Sequence, residues 1–213
     1  MKLLYATKNN SKIYNMKRRL EGMPIELLTP NDINIRISVD ENGKTPSQNA
    51  LKKAKAYYEK TKIATIAADS GLYISDLPKN KQPGLYVRRI NGKELTDDEM
   101  IDYYSNLMKT IGGAGDAYYL TGLALVTEYG SFTIDIEEDH FILTEKRDEK
   151  HNHRGNPLDV ITIDPACKKY YSEMTDEDFK NMGYKFEKEC LNFIQKNFID
   201  YKYDAVTLIK NRH

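Results

Sequence analysis

Three separated segments of the chain carry small polar and charged side chains of the kinds that bind phosphate and metal ions. The first segment, "ATKNNSK", contains Thr7, Asn9 and Lys12 between a predicted strand and a predicted helix. Free backbone N–H groups and the helix dipole favour an anion at such a helix start, and Lys12 adds a full positive charge. A simple helix N-cap beside a solvated lysine is the alternative explanation of the same residues.

Two acidic residues, Glu41 in "VDENG" and Asp69 in "AADSG", could hold a divalent cation. Mg²⁺ is usually bound by one or two carboxylates together with substrate phosphates, and a loop carboxylate with a strand-end carboxylate meets that need. Glu41 could equally be an exposed turn residue, and Asp69 could close an Asx turn with Gly71. Lys53, on a predicted helix rich in solvated lysines, could reach a phosphate.

The composition restricts the class of protein and of partner. The chain has 213 residues, of which 40% are apolar and 30% charged, which is typical of a globular protein. Its 32 basic and 32 acidic residues cancel, so no overall field favours nucleic acid or a membrane surface and any anion site must be local. Without a membrane-length apolar run or a signal-like start, we expect a cytoplasmic protein with two reduced structural thiols, Cys167 and Cys190.

The first half of the chain is predicted to alternate strands and helices that position these residues. "KLLYAT" is typical of a short buried strand, and "SKIYNMKRRLEG" has the apolar spacing of a helix. A second helix is expected to begin with Thr45 as N-cap, Pro46 as first helical residue and Gln48 as capping-box partner.

Further along, a strand "IATIAA" is predicted to stop at the Asp-Ser-Gly sequence and to continue as "LYISDL". A third helix is expected after a capping box formed by Thr96 and Glu99. From Ala117 the alternation of apolar and polar residues, with a turn at Tyr129 and Gly130, indicates antiparallel strands. "LDVITI" is predicted to be a short apolar strand. The pattern indicates a mixed α/β protein with an elongated sheet.

Taken together, these motifs resemble those of the inosine triphosphate pyrophosphatases, the Ham1-like family of non-canonical purine NTP pyrophosphatases. "LLYATKNNSK", "ENG" with "QNALKKAKA", "IAADSGLYI" and "PGLYVRR" match, in order and spacing, the family patterns T-x-N-x-x-K, E-T-G with E-N-A-x-x-K-A, A-D-D-S-G-L and P-G-x-Y-S-A-R. The resemblance is close over about the first 90 residues. It is thinner in "GNPLDVITIDPACKKYYSEMT", which is similar to G-F-G-Y-D-P-I-F followed by K-T-x-A-E-M.

The resemblance implies a fold and an activity. It implies an elongated mixed sheet with two lobes around a central nucleotide cleft, built as a single domain over residues 1–213 without a separable linker. It further implies a homodimer that uses Mg²⁺ to hydrolyse purine nucleoside triphosphates with altered bases, such as inosine or xanthosine triphosphate, to the monophosphate and pyrophosphate.

Residue roles follow from the same resemblance. Glu41 and Asp69 would hold the metal, and Asp69 would also activate the attacking water. The substrate would be bound by residues in both halves of the chain: Thr7, Asn9, Lys12, Lys53, Ser70, Asp159, Lys169, Tyr184 and Lys185. Such catalysis consists of positioning and neutralisation of phosphate charge.

Several departures from the family patterns concern the site itself. Ala68 stands where the family has the first aspartate of its acidic pair, and Gln48 replaces the glutamate of E-N-A, so metal binding would be weaker. Where the family has F-G-Y-D, the chain has Asn-Pro-Leu before Asp159, and Tyr184 with Lys185 replaces His-Arg in base recognition. Two alternatives therefore remain: a pyrophosphatase that prefers a different base, and a weakened nucleotide-binding relative.

The charged loop "HNHRG" contains a second candidate for base recognition. Its His153-Arg154-Gly155 sequence is similar to the missing family triplet but precedes Asp159 instead of following it. It could reach the same pocket from another direction or be an ordinary solvated loop. His151 and His153 have the spacing of a metal-binding pair, but the sequence offers no third ligand.

Overall fold

A computed structural model describes residues 1–153 and 155–201 of the chain. The described strands are β1 (Lys2–Tyr5), β2 (Glu26–Leu28), β3 (Thr65–Ile74), β4 (Arg89–Ile90), β5 (Lys93–Glu94), β6 (Ala114–Thr127), β7 (Gly130–Glu137), β8 (Phe141–Thr144) and β9 (Thr162–Ile163). The α-helices are α1 (Asn10–Arg19), α2 (Pro46–Thr61), α3 (Asp97–Lys109), α4 (Asp176–Met182) and α5 (Lys185–Ile194). Short 3₁₀ helices span Lys79–Lys81 and Pro157–Ile161, and a π-helical turn spans Gln195–Asp200.

A mixed sheet connects most of these strands. They hydrogen-bond in the order β2-β1-β3-β6-β8-β9, and β7 pairs with β6. Strand β1 is parallel to β2 and to β3, whereas β8 is antiparallel to β6 and to β9. Strands β4 and β5 form a separate antiparallel pair. The predicted α/β class with a mixed sheet is confirmed.

The residues group into two compact units, and the long strands β3 and β6 contribute to both. The first unit consists of Met1–Asp69, Thr121–Ile136 and the segment that begins at Lys185. The second consists of Ser70–Leu120 and Glu137–Tyr184. The prediction of a single two-lobed domain stays a prediction.

In the first unit, alternate residues of each strand enter different apolar clusters, as the two-residue period of a strand requires. One cluster contains Leu3, Tyr5, Met16, Ile66, Ala68, Cys190 and Phe193. The other contains Leu4, Ala6, Ala50, Ala54, Tyr57 and Ala67. Helices α1 and α5 therefore cover one face of these strands, and α2 covers the opposite face.

The second unit has its own core beside α3. The cluster joins β3, α3, β8 and the 3₁₀ helix through Leu72, Ile74, Ile101, Tyr104, Met108, Leu143, Leu158, Val160 and Ile161. Burying a Leu or Ile side chain contributes roughly 1.5–3 kcal/mol relative to leaving it exposed. The core therefore holds this end of β3 in place.

The predicted helix starts agree with the structure apart from one hydrogen bond. Thr45 caps α2 by accepting from the Gln48 backbone N–H, and Thr96 with Glu99 forms the predicted capping box of α3. The Gln48 side chain, however, accepts from the Lys44 N–H at 2.8 Å and not from Thr45. The predicted capping box at α2 is therefore wrong in its second half.

Two strand predictions are wrong. Strand β3 runs without a break from Thr65 to Ile74, so Asp69 lies inside a strand and the Asx-turn alternative is excluded. The Leu72 N–H donates to the Gly84 carbonyl at 2.9 Å, which supplies strand pairing directly after the expected break. The segment predicted as the strand "LDVITI" is mostly 3₁₀ helix. Pro157, the first residue of that helix, presets a helical φ, and the apolar residues after it are buried without alternation.

Candidate functional site

The Asp69 carboxylate lies on the α2 face of the first unit. Because successive strand residues point to opposite faces, Asp69 shares a face with Ala67, which packs against α2. The Asp69 side chain is half-buried, and its Oδ2 accepts a hydrogen bond from Asn49 Nδ2 at 2.8 Å. A half-buried carboxylate needs such a partner, because removing its charge from water without one is costly.

Ala68, the departure next to Asp69, lies on the other face. Its methyl group is 6% exposed and belongs to the apolar cluster beneath α1 and α5. A carboxylate at position 68 would therefore not point to the same face as Asp69. The replacement removes a charge from the α1 side of the sheet and leaves the surroundings of Asp69 on the α2 side intact.

Asn49 connects Asp69 to the loop that carries Glu41. The Asn49 side chain is 2% exposed, and its Oδ1 accepts from the Gly43 N–H at 2.7 Å. A Cβ atom at Gly43 would lie 2.6 Å from that same Oδ1, so the close approach requires glycine. Two predicted metal-site segments are thus joined through one amide.

Glu41 and Lys53 form an ion pair in the structure. Lys53 Nζ lies 2.9 Å from Glu41 Oε1, and the two side chains are 18% and 38% exposed, respectively. The sequence predicts that Glu41 binds a metal and that Lys53 binds a phosphate. The structure brings them together as partners, and each neutralises the charge of the other.

The N-terminus of α2, which carries Asn49 and Lys53, is fixed by β6 and β7. Asp135 on β7 accepts from the Ser47 N–H at 2.9 Å and from Ser47 Oγ at 2.6 Å. Gly122 on β6 has no side chain, and a Cβ atom there would overlap the backbone of Pro46 and Ser47. The sheet thereby sets the position of the helix start.

Thr7, Asn9 and Lys12 form the cap of α1. The Asn9 side chain accepts from the Lys12 N–H at 3.0 Å, and the Asn9 N–H donates to Thr7 Oγ1 at 3.2 Å. The helix N-cap explanation is confirmed for Asn9. Phosphate binding by these residues stays a prediction.

The predicted substrate residues of the second unit have internal partners. Lys169 Nζ lies 2.9 Å from Asp178 Oδ1, and that hydrogen bond raises the pKa of Lys169. The Tyr184 hydroxyl donates to Asp164 Oδ2 at 2.6 Å. Burial is the largest cause, and the Asp164 bond the second, of a pKa of Tyr184 well above its usual range.

The other predicted substrate residues lie in three different elements. Asp159 is in the second 3₁₀ helix, and its charge adds to the effect of burial in raising the pKa of the Tyr119 hydroxyl. Ser70 follows Asp69 in β3, and Lys185 begins α5. Their contact with a substrate stays a prediction.

The two histidines of the charged loop contact different carboxylates. His151 Nδ1 lies 2.8 Å from Asp148 Oδ2, and His153 Nε2 lies 3.6 Å from Asp97 Oδ2. Within residues 1–153 and 155–201, no group of three or more His, Cys, Asp or Glu side chains could hold a metal ion. The predicted role of Arg154 falls outside the described residues.

Comparison with known proteins identifies the family. A model of the Ham1 family matches residues 3–186, and the chain belongs to that family. A dITP/XTP pyrophosphatase of Nautilia profundicola is 30% identical over 200 residues, covering 92% of this chain and 98% of the relative. The dITP/XTP pyrophosphatase of Thermoanaerobacter pseudethanolicus is 28% identical over 215 residues, covering 99% and 96%.

A solved structure agrees in fold. The crystal structure of a nucleoside-triphosphatase / dITP/XTP pyrophosphatase from Mycobacterium abscessus superposes with a TM-score of 0.63 at 26% identity, covering 86% of this chain and 94% of that chain. In the part of the chain that the structure describes, no helix is long and apolar enough to cross a membrane.

Proposed function

We propose that the protein is a Mg²⁺-dependent nucleoside triphosphate pyrophosphatase that converts non-canonical purine triphosphates, namely ITP, dITP and XTP, to the monophosphate and pyrophosphate. Membership of the Ham1 family and the names of the relatives support this proposal. The observation that carries it is the grouping of Asp69, Asn49, Gly43, Glu41 and Lys53, which gathers two carboxylates and a cation in one unit.

The donor set fits a magnesium ion. Mg²⁺ prefers oxygen ligands and is commonly held by one or two carboxylates plus substrate phosphates, and Glu41 and Asp69 supply two carboxylates. When bound, the ion supplies neutralisation of phosphate charge and orientation of the reacting groups. In the proposal, Lys53 leaves Glu41 for a phosphate, and Asp69 accepts a proton from the water that displaces pyrophosphate.

Phosphate and base contacts complete the proposal. Thr7, Asn9, Lys12 and Ser70 bind phosphate oxygens, and Asp159, Lys169 and Lys185, together with the aromatic ring of Tyr184, contact the remainder of the nucleotide. We further propose a cytoplasmic homodimer without nucleic-acid or membrane partners. Light scattering coupled to size-exclusion chromatography would test the dimer directly.

A second candidate is the same reaction with a different base preference. The Tyr184 hydroxyl proton is donated to Asp164, so the hydroxyl cannot also donate that proton to the 6-oxo group of a base. The chain also lacks an aromatic residue in the Asn156–Leu158 segment, where the resemblance expects one. These two features favour a base preference other than the 6-oxo purines.

Pyrophosphate release from a panel of triphosphates, comprising ITP, dITP, XTP, ATP, GTP, CTP and UTP, tests the proposal. Higher kcat/KM with the first three supports the first candidate, and a different ranking supports the second. Absence of hydrolysis of every member contradicts both.

Asp69→Asn tests the assigned mechanism. We expect it to abolish pyrophosphate release, because a neutral amide neither binds Mg²⁺ as a carboxylate does nor accepts the water proton. Asp102→Asn, at an exposed position of α3, serves as the matched control and should retain wild-type turnover. Undiminished turnover of Asp69→Asn would contradict the roles assigned to Asp69 in metal binding and proton acceptance.

A further inference from the structure

We propose that Asn49 is a positioning residue that holds the Asp69 carboxylate and the Glu41–Gly43 loop in a fixed arrangement for metal binding. The inference rests on the proposed function, because it assigns Asp69 and Glu41 to the metal. Its geometric basis is the pair of hydrogen bonds that Asn49 makes, to Asp69 Oδ2 at 2.8 Å and from the Gly43 N–H at 2.7 Å.

Both ends of the Asn49 amide are in use. The side-chain NH₂ group donates to the Asp69 carboxylate, and the side-chain oxygen accepts from the Gly43 backbone N–H. The carboxylate thus receives a donor and the backbone N–H receives an acceptor. An aspartate would lose the donor, and a leucine of similar shape would leave both partners without their bond. A buried donor or acceptor left unsatisfied costs the desolvation of that group.

Helix stability does not account for asparagine at this position. Asn49 lies in the first turns of α2 on the buried face, alongside Ala50, Ala54 and Tyr57. Asparagine is a weaker helix former than alanine, and a polar side chain on a buried face must find partners. The two bonds to Asp69 and Gly43 are those partners, and they connect α2, β3 and the loop before α2.

The position of Asn49 is itself constrained. The Ser47 contacts with Asp135 and the close approach of Gly122 fix the start of α2 against the sheet. Asp69 lies in the middle of a ten-residue strand. With helix and strand both held, the amide can fix a carboxylate oxygen and leave the other oxygen to face a ligand. Partners that orient metal ligands in this way typically contribute 10–100-fold to metal affinity or activity.

The first test compares Asn49→Ala with Asn197→Ala, in which a partly buried asparagine of the same unit loses a bond to the Phe193 carbonyl. Mn²⁺ binding is measured by electron paramagnetic resonance without nucleotide, with Mn²⁺ standing in for Mg²⁺. We expect Asn49→Ala to weaken Mn²⁺ binding about 10–100-fold and to lower kcat similarly with KM changed less than about twofold. The control should stay near wild type in all three quantities.

The second test reaches Asn49 from the opposite side. Gly43→Ala would place a Cβ atom 2.6 Å from Asn49 Oδ1 and push the loop away while the amide is retained. We expect weaker Mn²⁺ binding in this variant and much less additional weakening when Gly43→Ala is combined with Asn49→Ala, because interacting residues are not additive. If Asn49→Ala does not fold, Gly43→Ala alone decides the question by whether it weakens Mn²⁺ binding.

The outcomes separate this inference from the proposed function. Equal Mn²⁺ affinity in Asn49→Ala and Asn197→Ala would overturn the positioning role. Additive effects of Gly43→Ala and Asn49→Ala on Mn²⁺ affinity would overturn it too. A wild-type protein that does not bind Mn²⁺ would overturn it as well. A wild-type protein that binds Mn²⁺ but hydrolyses no member of the panel contradicts the proposed function alone, because the Mn²⁺ measurements still decide the role of Asn49.

Discussion

At the scale of single residues, the Glu41–Lys53 ion pair gives each partner two opposed roles. Lys53 neutralises Glu41 at 2.9 Å, and each partner would turn to its own ligand when a metal and a triphosphate bind. Exposed or half-exposed ion pairs contribute roughly 0.2–1 kcal/mol, so the exchange costs little. The pair joins the loop to α2 by a contact that a ligand can replace.

Lys53→Ala is therefore expected to change two quantities in opposite directions. Metal binding without nucleotide should tighten by up to about fivefold, because Glu41 loses its competitor. The KM for the triphosphate should rise about 10-fold or more, since a charged hydrogen bond to phosphate is lost. Mn²⁺ titration and steady-state kinetics measure the two effects, with exposed Lys55→Ala on the same helix as the control. A variant with weaker metal binding would contradict the competition.

Tyr184 provides the second prediction at this scale. Because its hydroxyl proton is donated to Asp164, Tyr184→Phe should leave the ranking of bases in the triphosphate panel unchanged. The expected cost is a loss of stability of about 1.5–3 kcal/mol, as for one hydrogen bond to a buried carboxylate, visible in urea denaturation. Tyr103→Phe, at an exposed position of α3, is the control. A changed base ranking would instead show that the hydroxyl contacts the base.

At the scale of elements, the start of α2 depends on a glycine in the neighbouring strand. Gly122→Ala should displace the helix start and with it Asn49 and Lys53, because the added Cβ overlaps the backbone of Ser47. Overpacking of this kind costs typically 1–3 kcal/mol. We expect both the unfolding midpoint in urea and kcat to fall. Ser131→Ala, at an exposed position of β7, should change neither quantity. A wild-type kcat in Gly122→Ala would show that the position of the helix start does not affect the site.

The elements differ in how far the sequence could predict them. The start of α3 was predictable because Thr96 and Glu99 satisfy its end locally. The 3₁₀ helix at Pro157–Ile161 was not, because residues buried on all sides show no alternation that distinguishes a strand from a helix. The continuity of β3 past Asp69 depends on backbone pairing with β6 and with Gly84, which are distant in sequence.

The candidate site was also predictable only in part. The residue types and the family patterns were enough to predict Glu41, Lys53 and Asp69 as site residues. They did not predict the Glu41–Lys53 ion pair or the hydrogen bond from Asn49 to Asp69. Asn49 was missed, although a polar residue on the buried face of an amphipathic helix is a signal that sequence alone contains. Gly122 gave no such signal, since its requirement arises only from the approach of α2 to β6.

At the scale of the whole molecule, charge acts locally. The 32 basic and 32 acidic residues cancel, so general repulsion contributes little near neutral pH. As acid protonates the carboxylates, net positive charge adds general repulsion, and each carboxylate that is hydrogen-bonded in the folded protein adds a specific loss of stability. Asp148 is the clearest of these among the described residues, because it is 7% exposed and its partners come from three positions in the chain.

The hydrogen bonds to Asp148 lead us to expect a loss of stability in acid. Burial alone would raise its pKa, but hydrogen bonds from Ser172 Oγ at 2.7 Å and the Lys150 N–H at 2.9 Å, with His151 Nδ1 at 2.8 Å, outweigh burial and lower the pKa to about 2. In the unfolded chain the Asp148 carboxyl has a pKa near 4. Between pH 4 and pH 2 this carboxyl is therefore protonated more often in the unfolded chain than in the folded protein. The stabilisation is present above pH 4, and about 2 kcal/mol is lost as the pH falls through this window.

Asp148→Asn isolates that contribution. An asparagine cannot ionise, so the variant should be less stable than wild type at pH 7 but should lose about 2 kcal/mol less between pH 4 and pH 2. Urea denaturation across this range measures the difference, in which carboxylates common to both proteins cancel. Asp102→Asn, at an exposed position, should follow the wild-type curve. Parallel curves for wild type and Asp148→Asn would show that the hydrogen bonds to Asp148 do not hold its carboxylate ionised, and the acid sensitivity would then belong to other carboxylates.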